Sequence, residues 1–399
     1  MWRRTIEASA IQEVHAVSSP ANSTPATDGE RVYVYFGSVG LLAFDWDGKL
    51  LWKHDMGTAK SPFGSGSSPV IASELVLISR DYPGSPYLLA VRRSDGEPAW
   101  KADLAPGIGG PKTSHATPVI WKDQIVLHRP GMLAGHSLSD GQRLWWTLVG
   151  GTGTSTPVAS DEEVYVAVFG PGSKRIVDPV SFAEALEKYD ADGSGKLGRA
   201  ECPPFDLFIV KRDGVPDTVP DAHFTFKSFF RVVDQDKDGQ VDEAEYLGIY
   251  ERMKQVMSGR GGLTAIRSEG EGDLSLEAVR WVEPQGSSEV PSALAYRGRV
   301  YVVRNGGILI SVDKSTGKVL FRGRIHAPGA YYSSPVAAGG RLVVASSEGV
   351  VTVLDGGETL EVLSNNDLGD PVFGTPAPMK NAIYVRSLNH LWAFGSAAK

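Results

Sequence analysis

Residues 190–201 read DADGSGKLGRAE, and residues 234–245 read DQDKDGQVDEAE. Oxygen-bearing side chains stand at positions 1, 3, 5 and 12 of both stretches. They are Asp190, Asp192, Ser194 and Glu201 in the first, and Asp234, Asp236, Asp238 and Glu245 in the second. Gly195 and Gly239 hold position 6, where a sharp turn is needed. Oxygens at alternate positions let a backbone wrap around a hard cation that takes about six to eight of them, with a main-chain carbonyl at position 7 and two oxygens from the last glutamate. The position-7 carbonyls are those of Lys196 and Gln240. This donor set is expected to hold calcium, one ion per loop. The second loop is expected to bind more tightly, because it has Asp238 at position 5 and Asp242 at position 9. The first has Ser194 and Gly198 there, with Lys196 and Arg199 close by. The alternative reading is a pair of acidic turns without an ion.

Such loops need helices to hold them. Before the first, Phe182, Ala185, Leu186 and Tyr189 fall at helical spacing; before the second, Phe226, Phe229, Phe230 and Val233 do the same. After the second loop, EYLGIYERMKQVM continues as a helix. Position 8 is apolar in both (Leu197 and Val241), as expected if the loops meet in a short β contact. The pattern resembles the EF-hand family. It departs from that family after the first loop, where Cys202-Pro203-Pro204 should cut the exit helix short. A clipped exit helix implies structural or buffering calcium rather than a calmodulin-like opening.

The rest of the chain reads as a β protein. It has 399 residues, 42% of them hydrophobic, enough for a large core, with 46 glycines and 25 prolines to turn many short strands. A Ser/Thr-Pro corner recurs with prolines at 25, 69, 118, 157, 335 and 376. Each corner precedes an apolar strand such as RVYVYFG or RVYVVRN. Another strand follows, then a glycine with an aromatic four residues later, as in Gly48/Trp52, Gly96/Trp100, Gly141/Trp145 and Gly317/Phe321. Four strands in about 40–45 residues is the period of a propeller blade. A single four-stranded sheet cannot bury both faces, so blades must stack, with the outer aromatics between them. Proline spacing is 44, 49, 39, 178 and 41; the long interval takes one weak corner, VPSALAYRG (290–298), plus a large insertion.

The expected fold is therefore mainly β: a seven-bladed propeller of four-stranded antiparallel blades with an α-helical insertion in blade 4. An eight-bladed ring is the alternative; a sandwich or solenoid with coincidental turns is the other competitor. The last unit stops at its third strand, LWAFGSA. The N-terminal MWRRTIE would supply the fourth and close the ring, with Trp2 in the place of Trp52. The domain limits follow as 1–171 for the first part of the propeller, 172–260 for the calcium module and 261–399 for the remainder.

Segments such as LLAFDWDGKLLW (41–52) and LLAVRRSDGEPAW (88–100) resemble the pyrroloquinoline-quinone-type repeat. That repeat is shared by quinoprotein dehydrogenases and the BamB-like propellers of outer-membrane assembly. The BamB resemblance implies a protein-binding scaffold outside the cytoplasm, periplasmic and exported with its signal removed, although a cytoplasmic location stays open. The EF-hand insertion departs from the usual BamB pattern. The quinoprotein resemblance implies pyrroloquinoline quinone and an oxidoreductase. The residues do not support that cofactor, because the adjacent cysteines of the large alcohol dehydrogenases are absent. Cys202 is the single cysteine, and no CxxCH haem site is present.

The insertion enlarges the loop between the second and third strands of blade 4 (EVYVAVFG, 163–170, and GGLTAIRS, 261–268). In an antiparallel meander that loop shares one face of the ring with the blade-to-blade connections. Arg80, His128, Arg129, Arg304 and Arg386 end second strands there, and His115, Tyr331 and Tyr332 precede first strands. Such a ring could bind an anionic small molecule or a peptide. Alternatively, the arginines pair with acids such as Asp81, or stack on aromatics, and lock the blades.

No catalytic motif is present: HExxH, GxSxG and a Walker loop are all missing, and glycine clusters such as GGTGTS (150–155) sit at blade corners. The expected function is a non-catalytic calcium-binding scaffold with a protein or small anionic ligand. A quinone-dependent dehydrogenase or other propeller enzyme is the alternative. The net charge of −7 lies within residues 178–259, where 17 acids oppose 10 bases; elsewhere 30 oppose 30. A neutral propeller is not expected to bind nucleic acid. No apolar run is long enough for a membrane span, and the chain is expected to be a monomer.

Overall fold

The computed structural model describes residues 2–15, 18–105, 113–151, 153–168, 174–176, 180–204, 206–210, 222–234, 236–249, 261–274 and 277–395. The fold is mainly β, a seven-bladed propeller of mostly four-stranded antiparallel sheets. Blade 1 runs from strand Ala26–Thr27 to Leu50–His54, blade 2 from Val70–Ala72 to Pro98–Asp103, and blade 3 from Val119–Trp121 to Arg143–Leu148. Blade 4 runs from Val158–Ala159 to Val279–Glu283 and blade 5 from Leu294–Tyr296 to Val319–Arg324. Blade 6 runs from Val336–Ala338 to Val362–Asp367, and blade 7 from Ala377–Pro378 to Leu391–Gly395. Among the described residues blade 7 has three strands, and blade 3 gains a parallel edge strand, Gly272–Asp273.

Six corner hydroxyls, from Ser68 to Thr375, join neighbouring blades. The amide of Thr24 donates to Ser68 Oγ, that of Ser68 to Thr117 Oγ1, and that of Thr117 to Thr156 Oγ1. The chain of bonds continues through Ser292, Ser334 and Thr375, at 2.9–3.0 Å. Ser292 identifies the weak corner, with Ala293 standing where its counterparts have proline. The corner residue thus has two tasks. Proline removes a donor and fixes the backbone, while the hydroxyl before it satisfies the amide of the preceding blade.

The glycine–aromatic pairs work between blades. Trp52 lies against Gly96 and donates its indole N–H to the Arg93 carbonyl at 3.0 Å. Trp100 sits against Gly141 and Trp281 against Gly317 in the same way. A Cβ at Gly96 would lie 2.4 Å from the Trp52 ring, so only glycine admits the indole. Trp2 takes this place on Gly48, donating to the Trp46 carbonyl at 2.8 Å, as expected from the sequence. Residues 2–8 carry no strand assignment; Ile6 and Ala8 pack on blade 1. Trp145 differs: it is fully buried and donates to Gln124 Oε1.

The insertion leaves blade 4 where expected. Strand Val164–Val168 pairs with Gly262–Ile266, bringing Val168 opposite Gly262, and the long loop joins them. The expected limits at 171/172 and 260/261 border or fall on residues outside those described. Among the described residues, no helix is long and apolar enough to cross a membrane.

Candidate metal centre

Helix α1 (Phe182–Tyr189) enters the first loop and α2 (Phe226–Val233) the second; a third helix, α3, follows the second loop over residues 243–249. Ser181 caps α1, with its hydroxyl accepting from the Glu184 amide and the Glu184 carboxylate accepting from the Ser181 amide. Asp242 accepts from the Glu245 amide at 3.0 Å and so caps α3. Among the described residues no exit helix follows the first loop. The chain turns at 199–201 and enters strand Asp206–Val210, because Pro203 and Pro204 cannot continue a helix.

The helices share one apolar core. Phe182, Ala185, Phe226, Phe230, Val233 and Tyr246 pack there with Leu197 and Val241 from the loops. The Phe229 side chain lies outside those described. Leu197 pairs with Val241 in a two-stranded antiparallel contact, so the apolar position 8 of each loop docks the two loops together. Cys202 closes this core, and burial pushes its thiol up to about 12; it is a packing residue, not a nucleophile.

In each loop the carboxylates of positions 1, 3 and 12 converge. One ligand oxygen from each of Asp190, Asp192 and Glu201 lies within 4.8 Å of the others, and so it is for Asp234, Asp236 and Glu245. Glu201 reaches back across its loop, accepting from the Ala191 and Gly198 amides at 2.9 Å. Glu245 spans the second loop more loosely, at 3.3 Å from the amides of Asp236 and Asp242. Asp190 accepts from the Ser194 and Gly195 amides, and hydrogen bonds from Ser194 hold Asp192 below the usual carboxylate range.

The second loop carries the better test of fit. Asp234 is only 9% exposed, and its Oδ1 is buried without a hydrogen-bond partner. Burying a carboxylate oxygen without a partner is costly, and a cation supplies the missing partner. Asp234, Asp236, Asp238 and Glu245 with the Gln240 carbonyl would hold calcium there. Asp190, Asp192, Ser194, Glu201 and the Lys196 carbonyl would do so in the first loop. The ammonium of Lys196 crosses between the loops to Asp238 Oδ2 at 2.9 Å, which holds the Asp238 carboxyl below its ordinary value and raises that of Lys196. Sequence spacing gave no sign of this contact.

The residues expected to ring one face take different places. Arg129 is fully buried and grips Asp81 with two bonds, at 2.7 and 3.1 Å. Arg80 is buried between the rings of Tyr82 and Tyr87 and donates to the carbonyls of Met56 and Gly57. His128 is buried with Nδ1 donating to the Ser155 carbonyl at 2.8 Å, and burial pushes its pKa down. Tyr331 is buried and donates to the Ala327 carbonyl. These four therefore join blades rather than face solvent. His115 is half-buried edge-on against Phe63, and Arg304, also half-buried, donates to the Gln285 carbonyl. Arg386 and Tyr332 are exposed; Arg386 donates to the carbonyls of Ser387 and His390, while Tyr332 packs on Phe373.

The fold and the paired loops define a class: a β-propeller carrying an EF-hand insertion. Residues 13–168 and 261–367 match the family described as "Outer membrane protein assembly factor BamB", and the chain belongs to that family. Residues 226–248, which hold α2 and the second loop, match the family described as "EF hand". Among solved structures the chain is similar to BamB from Moraxella catarrhalis, with 14% identity and a TM-score of 0.45 over 97% of this chain and 99% of that one. A likeness at 11% identity and the same TM-score, 0.45, is to the computationally designed Ika8 protein, covering 97% of this chain and 100% of that chain. No curated protein matches the chain.

Proposed function

We propose that this protein is a non-catalytic scaffold of the extracytoplasmic space that binds two calcium ions in its insertion. It binds a protein or small anionic ligand on the propeller face from which the insertion emerges. The observation that carries the calcium reading is the buried, unpartnered Asp234 Oδ1 inside a carboxylate cluster that repeats in the paired loop. Membership of the BamB family supports the scaffold and the periplasmic location. On the ligand face, Arg386 and Tyr332 are the exposed candidates, with Arg304 and His115 half-buried beside the connections. Calcium steadies the module rather than opening it, because the first loop lacks an exit helix.

Isothermal calorimetry of the metal-stripped chain tests this reading. Two calcium ions should bind, the second loop more tightly, and pyrroloquinoline quinone should not bind afterwards. Stoichiometric quinone binding would overturn the scaffold in favour of a quinone-dependent oxidoreductase.

A further inference from the structure

Two buried arginines end the second strands of blades 2 and 3, but only one meets a carboxylate. Strands Arg31–Phe36, Leu75–Arg80 and Gln124–Arg129 are equally long, so Phe36, Arg80 and Arg129 share one register. The residues that follow them are Gly37, Asp81 and Pro130. Arg129 reaches back to Asp81 of the preceding blade and pairs with it through two bonds. Arg80 reaches back towards blade 1, where Gly37 holds the place of Asp81. Among the described residues its partners are the carbonyls of Met56 and Gly57, the Tyr87 hydroxyl, and the rings of Tyr82 and Tyr87. None of these is an acid, so the buried guanidinium is an uncompensated charge.

The surroundings of Gly37 are polar and unpaired. A Cβ there would collide with Ser65 Oγ and Gln12 Oε1. Burial pushes the phenols of Tyr35 and Tyr82 up, while the charge of Arg80 and the neighbouring Ser65 hydroxyl draw both back. Tyr35 Oη, Tyr82 Oη, Ser65 Oγ and both polar atoms of the Gln12 carboxamide are buried without a partner in bonding geometry. With Arg80 these make five side chains, none more than 8% exposed. Gln12 is the single buried residue between 2 and 15, and its amide donates to Ser38 Oγ at 3.0 Å.

We propose that this cluster between blades 1 and 2 binds a small free carboxylate, which displaces the Gln12 carboxamide. A carboxylate keeps the planar shape of the carboxamide and adds the charge that Arg80 lacks beside it. Hydroxyl donors around an anion form bonds about twice as strong as those around a neutral group. The ligand thus does for Arg80 what the Asp81 side chain does for Arg129, and the enclosure limits it to about that side chain's size. The inference rests on the anionic-ligand reading above and gives that ligand a class and a place, apart from the calcium loops of blade 4.

Calorimetry of the full chain with sodium acetate, against sodium chloride at equal ionic strength, is the test. Acetate should bind stoichiometrically, and chloride should not. Arg80→Gln should abolish binding; Tyr82→Phe carries the test if that variant does not fold. Tyr82→Phe should weaken acetate about tenfold, the loss of one hydrogen bond to a charged group. Gln12→Ala should strengthen acetate at least about threefold, because no side chain must leave first, a gain that a purely structural glutamine would not give. The proposal is overturned if acetate does not bind, or if Tyr82→Phe and Gln12→Ala both leave its affinity unchanged. Equal binding of chloride or inorganic phosphate would overturn the carboxylate class. Calcium titrated into the same sample reports on the scaffold separately, so calcium binding without acetate binding sinks this inference alone.

Discussion

The propeller and the calcium module are both built from repeated sequence, but their copies cohere by opposite means. Blades stack through apolar faces, indoles on glycines and a chain of hydroxyl bonds, all satisfied within the polypeptide. The two loops share an apolar core too, yet each gathers three carboxylates whose oxygens lie within 4.8 Å. Like charges so close repel unless a cation or proton intervenes. The lesson is that the propeller should hold without metal, whereas the module should tighten only with it. Four experiments bear on this contrast.

The largest effect falls on the propeller. Trp52→Ala leaves a cavity between blades 1 and 2 and loses the bond to the Arg93 carbonyl, costing about 3–5 kcal/mol in chemical denaturation. Calcium binding should not change, since Trp52 belongs to no part of the module's core. A parallel loss of calcium affinity would dissolve the distinction between the regions.

Acid should weaken the propeller by a comparable amount. His136 is buried in blade 3, with Nδ1 donating to the Gly141 carbonyl, and burial pushes its pKa down to about 4. A histidine held below its unfolded value, about 6.5, contributes stability that is intact above that pH. The contribution is lost as the pH falls towards about 4, roughly 3 kcal/mol in all. His128, also held down by burial, adds in the same direction. Metal-stripped chain should show the decline in thermal midpoint, and His136→Gln should flatten it.

Glu245→Gln acts on the module alone. Removing the charge of the bidentate position-12 ligand should weaken the second loop for calcium about a hundredfold, ~3 kcal/mol, measured by calorimetry. Propeller melting should stay put; collapse of the propeller would show that the module is integral to the ring.

Lys196→Met gives the smallest change and refines the module itself. The Lys196 ammonium competes with calcium for Asp238 from a half-exposed position. Removing it should raise second-loop affinity only about threefold to fivefold, the scale of a solvent-screened pair. A decrease instead would mean that Lys196 helps to shape the site.

Much of this was legible in the chain. The paired loops, their entering helices, the Leu197–Val241 contact and the place of the insertion follow from local chemistry, since twelve consecutive residues contain a whole calcium loop. The glycine–aromatic spacing was visible, and the aromatics were expected between blades, but spacing does not say which glycine each one meets. Gly96 and Trp100 share a hairpin in sequence, yet Gly96 receives Trp52 from the blade before. A repeat makes each contact within a blade look like the same contact one period away. The basic residues at strand ends were ambiguous for the same reason, because recurrence marks a structural role as readily as a binding one; Arg129 on Asp81 is the structural case.

The sequence alone determined the period, the number of units, the ligand types and the acidic balance, because each depends on residues close together in the chain. Tertiary structure decided which partner each repeat residue meets. It turned Arg80 and Arg129 inward, brought Lys196 to Asp238, and left Asp234 Oδ1 buried without a partner. Those outcomes hang on how blades and loops stack across long separations, where burial and pairing are settled by neighbours that local spacing does not specify.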